Sequence, residues 1–306
     1  MMGMRSGFMN IGIIGGGSLG LLFSGYLRKH FNITLFVRRQ EQKRHLLNQG
    51  VTVHKDDHSF TNTIQVTDDF HHLNEQQCIF IAVKQYDLSK ILQILASIPV
   101  HIPLVFLQNG MGHLKLLDEL PHKHIFVATV EHGAYKIDDC NVQHNGIGKT
   151  NIAEYRGSSN RIAALLQVKE RAFLFSWQPN YEKMMLRKLM VNAMINPLTA
   201  LLGVKNGQLV TNAHYKQVFL SIYDEMISLF PQMEGENVKE IAISICTNTK
   251  DNYSSMLRDI QNKQQTEIDS ILGYLVEEAT VKKKELPTIQ LLNELVKGME
   301  LERMVK

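Results

Sequence analysis

A glycine loop set between a strand and a helix constrains this chain more than any other stretch. Gly15-Gly-Gly17-Ser-Leu-Gly20 follows the β-rich run Asn10-Ile-Gly-Ile-Ile14 and leads into the helical pattern Leu19–Lys29. In that context the GxGxxG spacing points to dinucleotide binding. Gly15 allows the tight turn, Gly17 lets the backbone approach a pyrophosphate, and Gly20 lets the helix pack closely on the strand. The helix N-terminus then offers unpaired N–H groups to the anion. Ser18 and Leu19 complete the expected cofactor-binding loop. A glycine-rich turn without a ligand and a secretory signal are the competing readings. Against the second stand the three consecutive glycines and the charges at Arg28 and Lys29.

The next strand carries a second signal. Ile33-Thr-Leu-Phe-Val37 ends in Arg38-Arg39. An NAD-specific fold usually places an acid about 20 residues beyond the glycines, to accept from the ribose hydroxyls. Arg38 stands there instead, and a guanidinium pairs with a 2′-phosphate by a charge-assisted, bidentate contact. NADP is therefore favoured over NAD, against the alternative of a solvated surface pair.

The rest of the first half alternates short apolar runs with helical patterns. Strands are expected at Ile11–Ile14, Ile33–Val37, Cys78–Val83, Leu104–Leu107 and Ile125–Val130. Helices are expected at Leu19–Lys29, Gln40–Asn48, Leu88–Ala96 and Gly112–Leu120. Such alternation argues for a parallel sheet covered on both faces. Thr61–Val66 reads as an additional strand, and the Gly-, Asn- and Asp-rich stretch Tyr135–Ala153 as hairpins. After Trp177-Gln-Pro179 long helical periodicities take over. Ile268, Ile271, Leu272, Leu275, Val276 and Ala279 keep helical spacing, with Thr266-x-x-Asp269 as a start signal. The expected architecture is an α/β Rossmann-type dinucleotide-binding domain over 9–179, followed by an all-α domain over 180–306.

Composition narrows the function. A net charge of +3 is too small to imply nucleic acid or membrane partners. No run approaches the roughly 18 apolar residues of a membrane span. Cys78, Cys140 and Cys246 form no CxxC, and a sparse odd set suits a reducing cytoplasm. The 13 histidines are scattered without a ligand motif, so no metal site is expected.

Within Leu186–Leu202, apolar around most of its circumference, runs a polar line: Lys188, Asn192 and Asn196. The spacing i, i+4, i+8 puts all three on one helix face. A helix this apolar is normally buried, and buried amides or an ammonium need hydrogen-bonding partners. A substrate bearing hydroxyl and carboxylate groups would supply them. Alternatively, Lys188 snorkels and Asn196 before Pro197 breaks the helix. Lys84 and Asn109 follow expected strands, so both should border the cofactor crevice at the strand carboxyl ends; each would otherwise be a turn residue.

In order along the chain come the glycine loop, Ala82-Val-Lys84, Gln108-Asn-Gly-Met-Gly112, Arg187-Lys-Leu-Met-Val-Asn-Ala-Met-Ile-Asn-Pro-Leu-Thr-Ala200, Asn252-Tyr-Ser-Ser-Met-Leu-Arg-Asp259 and Thr266-Glu-Ile-Asp269. With these blocks the chain resembles the ketopantoate reductases (2-dehydropantoate 2-reductases) from about Asn10 onward. Residues 1–8 lie outside the resemblance, which makes Met9 a candidate start. The resemblance implies a Rossmann domain joined to a helical one, with the active site between them. It implies reduction of ketopantoate to pantoate with NADPH, on the route to pantothenate and coenzyme A. Lys188 matches the family's catalytic lysine and Glu267 its active-site glutamate. Asn109, Asn192, Asn196, Asn252 and Ser255 match substrate-contacting positions, and Arg38 and Lys84 those near the NADP phosphates. Glu267 would also be favoured at a helix start by the macrodipole alone. The alternatives are a related NADP-dependent hydroxy-acid dehydrogenase with a different 2-keto acid, and a non-catalytic NADP-binding regulator. The expected partner is a small 2-keto acid, with a homodimer left open.

Overall fold

The computed structural model describes residues 7–304, so the first six of residues 1–8 lie outside it. By their contacts the described residues divide into two compact units, residues 7–108 with 115–184 and residues 109–114 with 185–304.

Among the described residues the first unit holds twelve strands: β1 Asn10–Ile14, β2 Asn32–Phe36, β3 Val51–Lys55, β4 His58–Asn62, β5 Gln65–Thr67, β6 Cys78–Ile81, β7 Leu104–Phe106, β8 Ile125–Val130, β9 Gly133–Lys136, β10 Asn141–Gly146, β11 Lys149–Arg156 and β12 Leu174–Gln178. Eight of them form one sheet in the order β12-β11-β8-β7-β6-β1-β2-β5. The six from β5 to β8 run parallel, while β11 is antiparallel to β8 and parallel to β12. From β1 the chain builds outward through β2 to β5, then returns to build the other way through β6, β7 and β8. Strand order therefore reverses between β1 and β6, the switch point where open α/β sheets bind ligands. The strands are buried throughout β1, β2, β6, β7 and β8 apart from Asn10, as expected where helices cover both faces.

Helices α1 Ser18–Leu27, α2 Gln40–Gln49, α3 Gln85–Ser97, α4 Leu114–Leu117 and α5 Ala163–Leu166 connect these strands. The helix expected over Gly112–Leu120 shrinks to the single turn of α4. Its neighbours Met111 and Gly112 belong to a strap that packs elsewhere. The strand expected over Thr61–Val66 is two strands in two sheets, for β4 pairs β3 while β5 pairs β2. Thr63 and Ile64 turn the chain between them, and the Thr63 carbonyl accepts from Arg28 Nε at 3.0 Å. A second sheet, β4-β3-β10-β9, packs beside α1. The core joins Phe23 of α1 edge-on to Phe173 at 4.8 Å, with Phe80 of β6 at 5.5 Å. His132 stacks on Phe173 at 4.7 Å in this core, and burial pushes its pKa down to about 4.

The second unit is helical: α6 Tyr181–Leu202, which begins in the first unit, then α7 Gln208–Thr211, α8 Ala213–Leu229, α9 Val238–Asn248, α10 Ser255–Gln261, α11 Tyr274–Lys282 and α12 Pro287–Met304. By packing, the first turn of α6 stays with the first unit: Tyr181 stacks edge-on with Tyr155 of β11 at 5.0 Å. Residues 109–114 also leave the first unit, since Met111 N–H donates to the Ser270 carbonyl at 3.2 Å. Among the described residues no helix is long and apolar enough to cross a membrane.

Candidate active site

The loop after β1 has the geometry that its glycines predict. Gly15 takes φ +112°, and its N–H donates to the Phe36 carbonyl at 3.0 Å, tying the loop to the end of β2. A Cβ on Gly20 would lie 1.8 Å from the Gly15 carbonyl oxygen, so α1 can start this close to β1 only with glycine there. A Cβ on Gly17 would meet nothing within 4 Å, which leaves the loop open on that side. Ser18 and Leu19 begin α1, whose first N–H groups have no acceptor within the helix. The loop therefore fits a pyrophosphate.

Arg38 and Lys84 lie at the ends of adjoining segments. Arg38 follows β2, and its side chain is 77 % exposed, with Nη1 4.0 Å from the Asp87 carboxylate. Asp87 sits in the first turn of α3, the helix that Lys84 caps. Arg38 and Lys84 are thus both tied to the start of α3, Arg38 through Asp87 and Lys84 as its cap residue. Arg39 behaves differently, for its guanidinium pairs with Asp139.

In the second unit, α6 presents the polar line. The helix runs unbroken through Pro197, so Asn196 is not a break. One turn on, the Thr199 hydroxyl lies 2.8 Å from the Ile195 carbonyl, 3.0 Å from that of Asn196 and 2.7 Å from Ser254 Oγ. Asn192 and Asn196 are each 9 % exposed. Among the described residues neither amide side chain has a hydrogen-bond partner. Their amide atoms are not among the fully buried unpartnered ones, so the line remains open to a polar group from outside. Lys188 lies one and two turns before them on the same face, half-buried. Its neighbour Arg187 is committed elsewhere, paired with Glu236 at 2.5 Å.

Glu267 and Asn109 come together across a long stretch of chain. Asn109 Nδ2 donates to Glu267 Oε2 at 2.9 Å, and the carboxylate is 8 % exposed. Thr266 caps this turn by accepting from Ile268 N–H at 3.1 Å, but Asp269 does not close a capping box. Its carboxylate pairs instead with Lys297 at 2.8 Å. The following turn, Asp269–Gly273, is a π-helix. Such turns recur at functional sites. Asn252 and Ser255 flank the start of α10 and are exposed. Buried Ser254 between them accepts from Leu257 N–H at 3.1 Å and meets Thr199, fastening α10 to α6.

Three participants escaped sequence reasoning. Thr199 and Ser254 lie inside the quoted blocks, but nothing in their local pattern pairs them. Gln108 Nε2 donates to the Ile81 and Val83 carbonyls at 3.0 and 2.9 Å, bracing the end of β6 just before Lys84. Among the described residues no group of three or more His, Cys, Asp and Glu side chains could hold a metal ion.

The family model for ketopantoate reductase PanE/ApbA matches residues 11–157, and its C-terminal counterpart matches residues 180–300. The chain belongs to the ketopantoate reductase family. It is 37% identical over 303 residues to a 2-dehydropantoate 2-reductase of Listeria innocua, covering 97% of this chain and 99% of that one. It is 39% identical over 296 residues to one of Listeria monocytogenes, covering 95% and 97%. Among solved structures, the probable 2-dehydropantoate 2-reductase panE of Bacillus subtilis aligns with a TM-score of 0.85 at 33% identity, covering 95% of this chain and all of that one. A D-mandelate dehydrogenase with NADH and anilino(oxo)acetate reaches the same TM-score at 23% identity, over 97% of this chain and 100% of that one, a likeness of fold alone.

Proposed function

We propose that this chain reduces 2-dehydropantoate (ketopantoate) to pantoate with NADPH, in pantothenate and coenzyme A biosynthesis. The polar face of α6 carries the reading: two asparagines, each 9 % exposed with its amide open to a ligand, in line with a lysine. When bound, NADPH supplies the hydride. Hydride addition develops negative charge on the ketone oxygen. The Lys188 ammonium stabilises that charge and gives up a proton to complete the alcohol. Asn192 and Asn196 offer donors and acceptors together, which suits a substrate with a hydroxyl and a carboxylate. Asn252 and Ser255 extend the polar surface, and Glu267 fixes the Asn109 amide. The glycine loop with Ser18 and Leu19 takes the pyrophosphate, while Arg38 and Lys84 take the 2′-phosphate side. The enzyme works in the cytoplasm, where its buried thiols stay reduced. It pairs as a homodimer, as does the dimeric ketopantoate reductase of Staphylococcus aureus.

Loss of NADPH absorbance with ketopantoate, against a panel of other 2-keto acids, tests the reading; turnover of another keto acid with none of ketopantoate would reject it. Two finer expectations follow the residues. Arg38→Ala weakens NADPH binding by a few kcal/mol at most, the scale of one charge-assisted contact, while NADH binding barely changes. Titration of both cofactors into both proteins decides this, and an equal loss would remove Arg38 from the 2′-phosphate. Asn192→Ala and Asn196→Ala lower kcat/KM for ketopantoate far more than for a keto acid lacking the terminal hydroxyl. Equal losses on both substrates would make these asparagines structural.

A further inference from the structure

The glycine loop contains a third consecutive glycine that the GxGxxG pattern does not ask for. Gly16 occupies a variable position, yet a Cβ there would lie 2.6 Å from the side-chain amide nitrogen of Gln42. Gln42 stands in the first turns of α2 and is buried. Its Nε2 carries two hydrogens and uses both: one to the Gly16 carbonyl at 2.8 Å, one to the Asp139 carbonyl at 3.1 Å. Asp139 lies in the turn between β9 and β10. The same hairpin reaches the loop again two residues on, where Lys136 N–H donates to Ser18 Oγ at 3.1 Å.

The turn itself is firmly held. The Asp139 carboxylate takes Lys136 Nζ at 3.0 Å and the Arg39 guanidinium. Burial pushes this carboxyl up, but the hydrogen bond and charge of Lys136 and the charge of Arg39 outweigh it, leaving it below the usual carboxylate range. Gln42 therefore anchors the glycine loop to a fixed point rather than to another mobile loop.

A peptide unit is planar and trans, so its C=O and the following N–H point in opposite directions. Turning the Gly16 carbonyl toward Gln42 sends the Gly17 N–H the other way, away from Gln42, while a Cβ added at Gly17 would meet nothing within 4 Å. We propose that Gln42 is a positioning residue for the dinucleotide: it orients the Gly16–Gly17 peptide so that the Gly17 N–H faces the pyrophosphate, and Gly16 is glycine to admit it. The inference rests on the NADPH-binding reading above. It differs from the role of Arg38, because the pyrophosphate is common to NADPH and NADH. Holding a donor in place before the ligand arrives is a gain in affinity through lower ordering cost.

The test is direct cofactor titration by fluorescence, with steady-state rates alongside. Gln42→Met keeps the bulk and loses the donor. It is expected to raise Kd about tenfold for NADPH and by the same factor for NADH, with kcat at saturating NADPH within threefold of the parent. Gly16→Ala displaces the same amide, so it should cost a similar factor. The double variant Gly16→Ala/Gln42→Met should lose about tenfold in all rather than a hundredfold, since groups acting as one unit are not additive. If Gln42→Met fails to fold, Gln42→Asn, one methylene too short to bridge both carbonyls, carries the same expectation. Unchanged Kd values, additive losses, or a fall in kcat with Kd kept would each overturn the proposal. A parent protein that bound neither cofactor would overturn the reductase reading as well; a parent that binds both no better than Gln42→Met overturns this inference alone.

Discussion

Lys188→Ala lowers the rate of hydride transfer at least roughly a hundredfold while leaving NADPH affinity within a few-fold of the parent. The substitution removes both the charge facing the developing alkoxide and its proton donor, and each of those effects is typically worth about a hundredfold or more. Little of the fold depends on this side chain. It is half-buried, while the flanking Leu186, Leu189 and Met190 carry the apolar packing of α6. A lysine that merely snorkelled would give the opposite pattern, a slight change in stability with turnover nearly intact. Single-turnover measurement with saturating NADPH and ketopantoate separates the two. A rate within a few-fold of the parent would take Lys188 out of the mechanism.

Gly110→Ala is expected to be as damaging to turnover without touching the lysine. Gly110 holds φ +77°, and an added Cβ would sit 2.0 Å from the Ser270 carbonyl oxygen and 2.5 Å from its carbonyl carbon. Left-handed backbone alone costs a non-glycine residue about 1–2 kcal/mol. The overlap is worse, because both contacted atoms are backbone and cannot rotate aside. The strap 109–114 must shift off the turn, breaking the Met111-to-Ser270 bond and carrying Asn109 away from Glu267. We expect kcat/KM for ketopantoate to fall about a hundredfold, on the scale of a misplaced catalytic group, with NADPH Kd within threefold. Gly203→Ala serves as the comparison: φ is +66° there, but nothing lies within 4 Å of its Cβ, so it should cost stability and spare turnover. Paired kinetics, melting curves and cofactor titration read all three quantities. A Gly110→Ala enzyme within threefold of parent kcat/KM would show that the strap does not position Asn109.

What the sequence disclosed and what it hid divide by the range of the interactions. The glycine loop, the alternating strands and the line Lys188, Asn192, Asn196 are written in periods of two to eight residues, so their geometry was legible. Even Pro197, an apparent stop, was outweighed by the apolar packing around it. The hidden features join distant positions. Nothing local in Asn109-Gly110 says that they pack on residues 267–270, or that this strap parts from the sheet it follows. Thr63 and Ile64 separate two strands of different sheets because the partners, β3 and β2, lie elsewhere in the chain. Gln42 looked like any polar residue in a polar helix, and its partner Asp139 stands 97 residues away.

The wide turn Asp269–Gly273 frees two neighbouring stretches from a common phase. On a regular helix, successive residues are separated by about 100°, so the bearing of Glu267 would be locked to that of every apolar residue after it. Leu272, Leu275 and Ala279 must face the core, and Glu267 must face Asn109. The π turn, closed by Tyr274 N–H on the Asp269 carbonyl, inserts one extra residue between those obligations. Removing that residue would restore ideal helical winding and rotate the carboxylate by about 100° relative to the hydrophobic stripe. An irregularity one residue long thus lets a single segment answer to packing at one end and to chemistry at the other.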